Sequence, residues 1–87
     1  MITPEGKLYE FLKNKVVKEL KEKGEYRIEA LSWDTVIISA FLGIRSAVAK
    51  KVAEKLLRDL ERKGYKVERY KLPGFLLGYG FIRRGKE

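Results

Sequence analysis

The sequence predicts a small α+β domain whose elements run helix, strand, helix, helix, strand, strand. Three observations lead there. Two apolar stripes recur every four residues, Leu8-Leu12-Val16-Leu20 and Val48-Val52-Leu56-Leu60, as on the buried side of a helix. Alternating runs follow each of them, at Tyr26-Ile28-Ala30 and from Tyr65 to Lys71. Gly24, Gly43 and Gly64 punctuate the helical stretches. With 87 residues the chain is read as one domain, residues 1–87, large enough for a single core.

The first helix begins after Thr3, whose hydroxyl can cap the orphan amides of the opening turn. Pro4 fits the first helical position, where no amide hydrogen is needed. Tyr9 and Val17 widen the stripe, and Gly24 ends it in a left-handed conformation behind Lys23, a favourable charge at that end. Phe11 falls off the stripe and is read either as packing under a loop or as a dimer contact. Tyr26, Ile28 and Ala30 alternate with Arg27 and Glu29, the pattern of a strand.

Ser32 or Asp34 caps the next element, with Trp33 expected to be partly buried at its start. Val36, Ile37, Ala40, Phe41 and Ile44 have helical spacing and form its expected inward face. Thr35 to Ile38 is also β-branched, so a strand is the competing reading. Gly43 breaks the pattern and Ser46 is the expected cap of a long third helix, with Ala49, Ala53 and Leu57 beside its apolar stripe. At 100° per residue the opposite face presents Ala47, Lys51, Glu54 and Arg58, flanked by Lys50 and Lys55. After Gly64, Tyr65 to Lys71 is a strand, Pro73-Gly74 has the chemistry of a type II turn, and Phe75 to Arg84 returns as a strand. Gly78 and Gly80 in that strand imply a bulge or a close backbone approach. Tyr65, Tyr70, Phe75, Tyr79 and Phe81 are expected mostly to pack against the helices. Arg83 to Glu87 is a polar end.

A rival architecture exists. The two stripes and their closing glycines, Gly24 and Gly64, align at a spacing of 40 residues. If that repeat is real, Thr35 to Leu42 is a strand and the fold is a duplicated helix plus β-hairpin unit with a four-stranded antiparallel sheet. Any two amphipathic helices ending in Gly match in the same way, so the first architecture is preferred.

Composition narrows function. There is no Cys and no His, which removes disulfides, thiolate or imidazole metal sites and His- or Cys-based catalysis. The Asp and Glu residues are scattered among Lys and Arg as on solvated helix faces. No active-site constellation emerges, so the expectation is a protein that is not an enzyme and has no cofactor. The longest apolar stretch, Val36 to Ile44, is too short for a bilayer, and Met1-Ile2-Thr3-Pro4-Glu5 lacks a signal-peptide pattern. A cytoplasmic protein without a membrane partner is expected. Gln is absent, Asn14 is the sole Asn and charged residues reach 37%, a composition of hyperthermophilic, archaeal-like type.

The charge is lopsided. Residues 1–44 hold seven Lys+Arg and seven Asp+Glu; residues 45–87 hold thirteen and five, and so carry the whole formal net charge of +8. Folding does not require that asymmetry, whereas a polyanion would be concentrated and steered by it. The charge lies on predicted ordered elements, which points to nucleic acid.

The segment Ser39-Ala40-Phe41-Leu42-Gly43-Ile44-Arg45-Ser46-Ala47-Val48 resembles the helix-turn-helix core of winged-helix DNA-binding proteins. Ser39 stands for the small residue, Leu42-Gly43-Ile44 for the turn, Ser46 for the polar cap and Val48 for the inward residue of the recognition helix. Leu60 to Tyr65 looks like the end of that helix running into the wing, and Glu68-Arg69-Tyr70-Lys71 with Pro73-Gly74 looks like the first wing strand and its tip. The third helix is about one turn longer than is usual in the family, and the tip from Leu72 to Leu77 is more apolar than a phosphate-contacting wing.

The resemblance implies double-stranded DNA as partner and a small transcriptional regulator, with a homodimer expected because operator symmetry mirrors protein symmetry. Arg45, Ser46, Ala47, Lys50 and Lys51 would enter the major groove. Arg45 suits guanine, Ala47 a close approach or a thymine methyl, and Lys50 and Lys51 phosphates. Lys55 and Arg58 would meet backbone or solvent. Arg69, Lys71, Arg83 and Arg84 on the hairpin would straddle an adjacent phosphate run. Any one of these cations is as well explained by a solvated surface; the set points to DNA. Two other readings remain open. Outward-facing aromatics among the last two strands would make a stacking platform for single-stranded DNA or RNA. Leu72, Phe75 and Leu76, if exposed, would dock a protein partner such as a subunit of a replication or transcription complex.

Overall fold

The computed structural model describes residues 3–85; the expectations resting on Met1, Ile2, Lys86 and Glu87 lie outside the described residues. The elements are α1 (Pro4–Lys23), β1 (Glu25–Arg27), α2 (Ile28–Leu42), α3 (Ser46–Arg62), β2 (Lys66–Tyr70) and β3 (Tyr79–Arg83). This is the preferred order, helix, strand, helix, helix, strand, strand. The three strands form one antiparallel sheet in the order β1-β3-β2. Residues 35–42 are helical, so the four-stranded duplicated alternative is overturned. No helix among the described residues is long and apolar enough to cross a membrane.

α1 forms as its sequence dictates. Thr3 Oγ1 accepts from the Gly6 amide at 3.0 Å, Pro4 opens the helix, and Gly24 closes it at φ 82° with its amide on the Leu20 carbonyl. Leu8, Leu12, Val16 and Leu20 are fully buried. α3 buries Ala49, Ala53, Leu56, Leu57 and Leu60, while Val48 and Val52 are only half-buried. The reason is geometric. A row of every-fourth residues drifts by 40° per step, so the stripe starting at Val48 reaches the core only at Leu56. Ser46 is the first residue of α3 and not its cap; Arg45 occupies the cap position and no side chain caps the helix.

The second element departs furthest from expectation. β1 ends at Arg27, and α2 starts at Ile28, so Ser32 and Asp34 lie inside the helix and cap nothing. Its buried face is Ile28, Leu31, Ser32, Thr35 and Ser39. Val36, Ile37 and Phe41, expected inside, are 44%, 49% and 87% exposed, and Trp33 is 62% exposed. Ala40 also faces out. The hydroxyls tolerate burial because each donates to a carbonyl of its own helix: Ser32 to Ile28, Thr35 to Leu31, Ser39 to Val36. Asp34 instead accepts from the Tyr26 hydroxyl and pairs with Lys15 at 3.0 Å, tying α2 to β1 and α1.

The hairpin is shorter than expected at each strand end. Pro73-Gly74 does make the turn, with the Phe75 amide on the Leu72 carbonyl at 3.2 Å and Gly74 at φ 91°. The expected close approach also occurs. Gly78 and Gly80 have positive φ, and a Cβ at either would strike the carbonyl of Tyr70 or Glu68. The loop 71–78 then folds back over α2. Leu77 is 2% exposed and its amide donates to Ser32 Oγ at 3.1 Å, while the Gly80 amide donates to Glu29 Oε1 at 3.2 Å.

Candidate nucleic-acid interface

The side of α3 opposite its core carries Ala47, Lys51 and Arg58, all exposed, with Lys50 and Lys55 at its flanks. Arg45 stands at the entrance and contributes its carbonyl to the Ala49 amide at 2.9 Å, so its side chain leaves from the fixed first turn. Arg45, Lys50, Lys51 and Arg58 make no ion pair with the described residues. Ser46 is exposed and, not serving as a cap, keeps its hydroxyl for other partners. Ala47 and Arg58 are separated by about 16 Å of helix at 1.5 Å per residue.

Two of the three acids of α3, Glu54 and Asp59, are engaged by other side chains; Glu61 is exposed. Glu54 receives a two-pronged bond from Arg69 of β2, Nη1 to Oε1 at 2.5 Å and Nη2 to Oε2 at 2.8 Å. That bond holds the Glu54 carboxyl below its ordinary range and the Arg69 guanidinium above its own. Arg69 Nε also donates to the Leu77 carbonyl at 3.1 Å. Asp59 accepts from the Tyr9 hydroxyl of α1 and from Lys55 at 3.0 Å, and those bonds keep its carboxyl low. Tyr9 is in turn pushed up to about 12 by burial and by the bond to Asp59. Lys55 lies 4.9 Å from the Tyr9 ring centre. Two of the expected contact residues, Arg69 and Lys55, are thus engaged inside the protein.

Between α3 and the hairpin loop runs a groove of about 470 Å³, with Lys50 on one bank, Lys71 on the other and the Arg69–Glu54 pair between them. Arg83 and Arg84 are elsewhere. β3 carries Arg83 to the far end of the sheet, about 13 Å from Tyr79 at the strand rise. Arg83 approaches Glu25 at 3.7 Å and Glu68 at 3.9 Å. Arg84 donates its amide to the Gly24 carbonyl and lines a hollow with Lys63, Gly64, Tyr65 and Gly85 beyond the end of α3. The four hairpin cations therefore do not form one run: Arg69 and Lys71 adjoin α3, Arg69 bonded to Glu54, and Arg83 and Arg84 lie away from its outward face. Arg62 does share that face, eleven residues beyond Lys51, and pairs loosely with Asp59 at 3.5 Å. The same periodicity that singled out Lys51 and Arg58 would have found it.

The outer face of the sheet has its own character. Tyr70 and Tyr79 are cross-strand neighbours with ring centres 5.3 Å apart, and they are 55% and 40% exposed. Phe81 lies next in that row, with the Arg27 and Arg83 guanidinium groups 5.0 and 4.8 Å from its centre. The expected packing of the strand aromatics against the helices is therefore only partial. The inner face instead uses Tyr26 and Ile82, with Gly80 between the edge strands.

Comparison with known proteins finds no matching family model, no similar curated protein and no similar solved structure.

Proposed function

We propose that this protein binds double-stranded DNA as a winged helix-turn-helix module, in the manner of a small transcriptional regulator. α2, the turn at Gly43 and α3 form the helix-turn-helix. The first turns of α3 enter the major groove, which accepts a single helix. Arg45 reads guanine, Ala47 lets the backbone approach, and Lys50, Lys51 and Arg58 meet phosphates. Lys71 supplies the hairpin's contact across the groove from Lys50. The observation that supports this most is the row of exposed cations on one rigid helix, two of whose three acids, Glu54 and Asp59, are bonded within the protein. Fluorescence anisotropy with labelled duplex, competed by unlabelled duplex or single strand, tests it. Duplex should displace the probe at lower concentration than single strand at every salt concentration.

The row Tyr70, Tyr79 and Phe81 on the outer sheet favours a second reading, a single-strand platform on which bases stack. On that reading single strands win the competition, and Tyr70→Ala with Tyr79→Ala abolishes the advantage. Duplex preference with unchanged binding by that double variant excludes it.

A further inference from the structure

α2 is inside out. Its buried face contains three hydroxyls, Ser32, Thr35 and Ser39, while Trp33, Val36, Ile37, Ala40 and Phe41 face away from the core. Scattered exposed apolar residues need no explanation, but a contiguous patch of this kind marks an interface. The folding of one chain gains nothing from the arrangement. From this geometry we infer that a second copy of this chain covers the outer face of α2, forming a two-fold symmetric dimer.

Three features select a second copy as the occupant. The first is charge. α2 contains no Lys or Arg in a chain of net charge +8, so this face lets two such chains meet without opposing cations. Its two acids are already bound within the protomer, Asp34 to Lys15 and Tyr26, Glu29 to Arg27 and the Gly80 amide. Contact through the face between them strands no charge.

The second is shape. Trp33, Ile37 and Phe41 form a ridge at four-residue spacing, with Val36 and Ala40 beside it, as ridge-into-groove helix packing requires. Phe41, 87% exposed, is a knob. One turn on the other side of Ile37 lies a cleft of about 290 Å³ between α2 and the hairpin loop, walled by Trp33, Val36, Phe75 and Leu76. A two-fold axis beside Ile37 makes the helices antiparallel and sets the Trp33-Ile37-Phe41 ridge of each protomer against that of the other, with Trp33 and Phe41 about 6 Å along the helix from the axis on either side. Such self-complementarity is what a two-fold interface needs.

The third is area. Taking about 150–250 Å² for a whole large side chain, the exposed fractions of Trp33, Val36, Ile37 and Phe41 provide roughly 500 Å² of apolar surface. Phe75 and Leu72, 38% and 41% exposed, extend it along the loop. Phe11, 60% exposed, extends it on α1, one turn from the Lys15 that pairs with α2. The total approaches the roughly 800 Å² per partner of an ordinary stable interface. Leu72, Phe75 and Phe11 thus become the rim of one surface.

This inference does not depend on DNA binding and is tested without DNA. Sedimentation equilibrium of the full chain, at micromolar to 100 micromolar concentration in high salt, should give the mass of a dimer. Trp33, the only tryptophan, should shift its emission to the blue as concentration rises through the transition. Phe41→Glu should be a monomer with unchanged circular dichroism and a concentration-independent thermal midpoint equal to that of dilute, dissociated wild type, because Phe41, 87% exposed, packs on little within its own chain. Ile37→Glu provides a second disruption. A wild-type monomer throughout the range, or a dimer that survives both substitutions, overturns the inference. So does a monomer whose Trp33 emission shifts only on adding anionic phospholipid vesicles, which would assign the face to a membrane surface.

Discussion

Ser32→Ala isolates the contact that pins the hairpin loop to α2. Ser32 is 3% exposed, and its oxygen is the acceptor for the Leu77 amide at 3.1 Å. Leu77 is itself 2% exposed, so water cannot replace the lost partner. An orphaned buried donor costs about 1–3 kcal/mol, against which alanine's helix propensity returns about 0.5 kcal/mol. The net loss of about 0.5–2.5 kcal/mol corresponds to a fall in thermal midpoint of roughly 3–15 °C for a domain of this size. Thr35→Val is the control. Thr35 Oγ1 donates to the Leu31 carbonyl at 2.7 Å, and that carbonyl keeps its helical amide, so nothing is orphaned. Its effect should stay within about 1 kcal/mol. Paired thermal and urea denaturation measure both, and hydrogen exchange should find the Leu77 amide less protected in Ser32→Ala alone. Equal midpoints for Ser32→Ala and wild type, or equal losses for the two variants, would refute the reasoning.

Two pH predictions follow from the ion pairs of α3. The Arg69 bond lowers the Glu54 pKa in the folded protein, so its contribution is present above the unfolded value of about 4.3 and disappears as pH falls through the folded one. Glu54→Gln should lose about 1 kcal/mol at pH 7 and flatten the decline of the midpoint with acid; identical acid profiles would count against the pair. Tyr9 is raised to about 12, so its contribution is complete below the unfolded value of about 10 and is lost as pH climbs from there. Tyr9→Phe should be the less stable protein at pH 8 and decline less steeply between about pH 10 and 12, as followed by circular dichroism.

The parts of the fold legible in the sequence are those where local chemistry and core packing agree. α1 has a hydroxyl cap, a proline, an unbroken leucine and valine stripe and a closing glycine, and all are found in place. The Pro73-Gly74 turn and the close approach at Gly78 and Gly80 are readable because only a few backbone shapes suit those residues. Hydropathy misplaces the buried face of α2 for a physical reason. The spacing of Ile28, Leu31, Ser32, Thr35 and Ser39 is a helix face only if hydroxyls count as core residues, and hydropathy counts them as surface. Taking Val36 and Phe41 for the core followed from the same rule, which fails where a second surface competes for apolar residues. At the candidate interface, helical periodicity placed Lys50, Lys51 and Arg58 on the outward side. The engagement of Arg69 by Glu54 joins residues fifteen apart on different elements and leaves no local pattern. Nor does sequence tell how far β3 carries Arg83 and Arg84 from Lys71.

The proposed DNA contact by α3 is tested most directly by the salt dependence of duplex binding, comparing wild type with the Lys50→Ala, Lys51→Ala double variant. Each phosphate contact contributes about 0.9 to the slope of log affinity against log salt, so losing two should flatten it by about 1.8. Between 50 and 200 mM salt, the wild-type affinity should then fall roughly 12-fold more than that of the variant. Parallel lines for the two proteins would contradict the placement of α3 on the DNA.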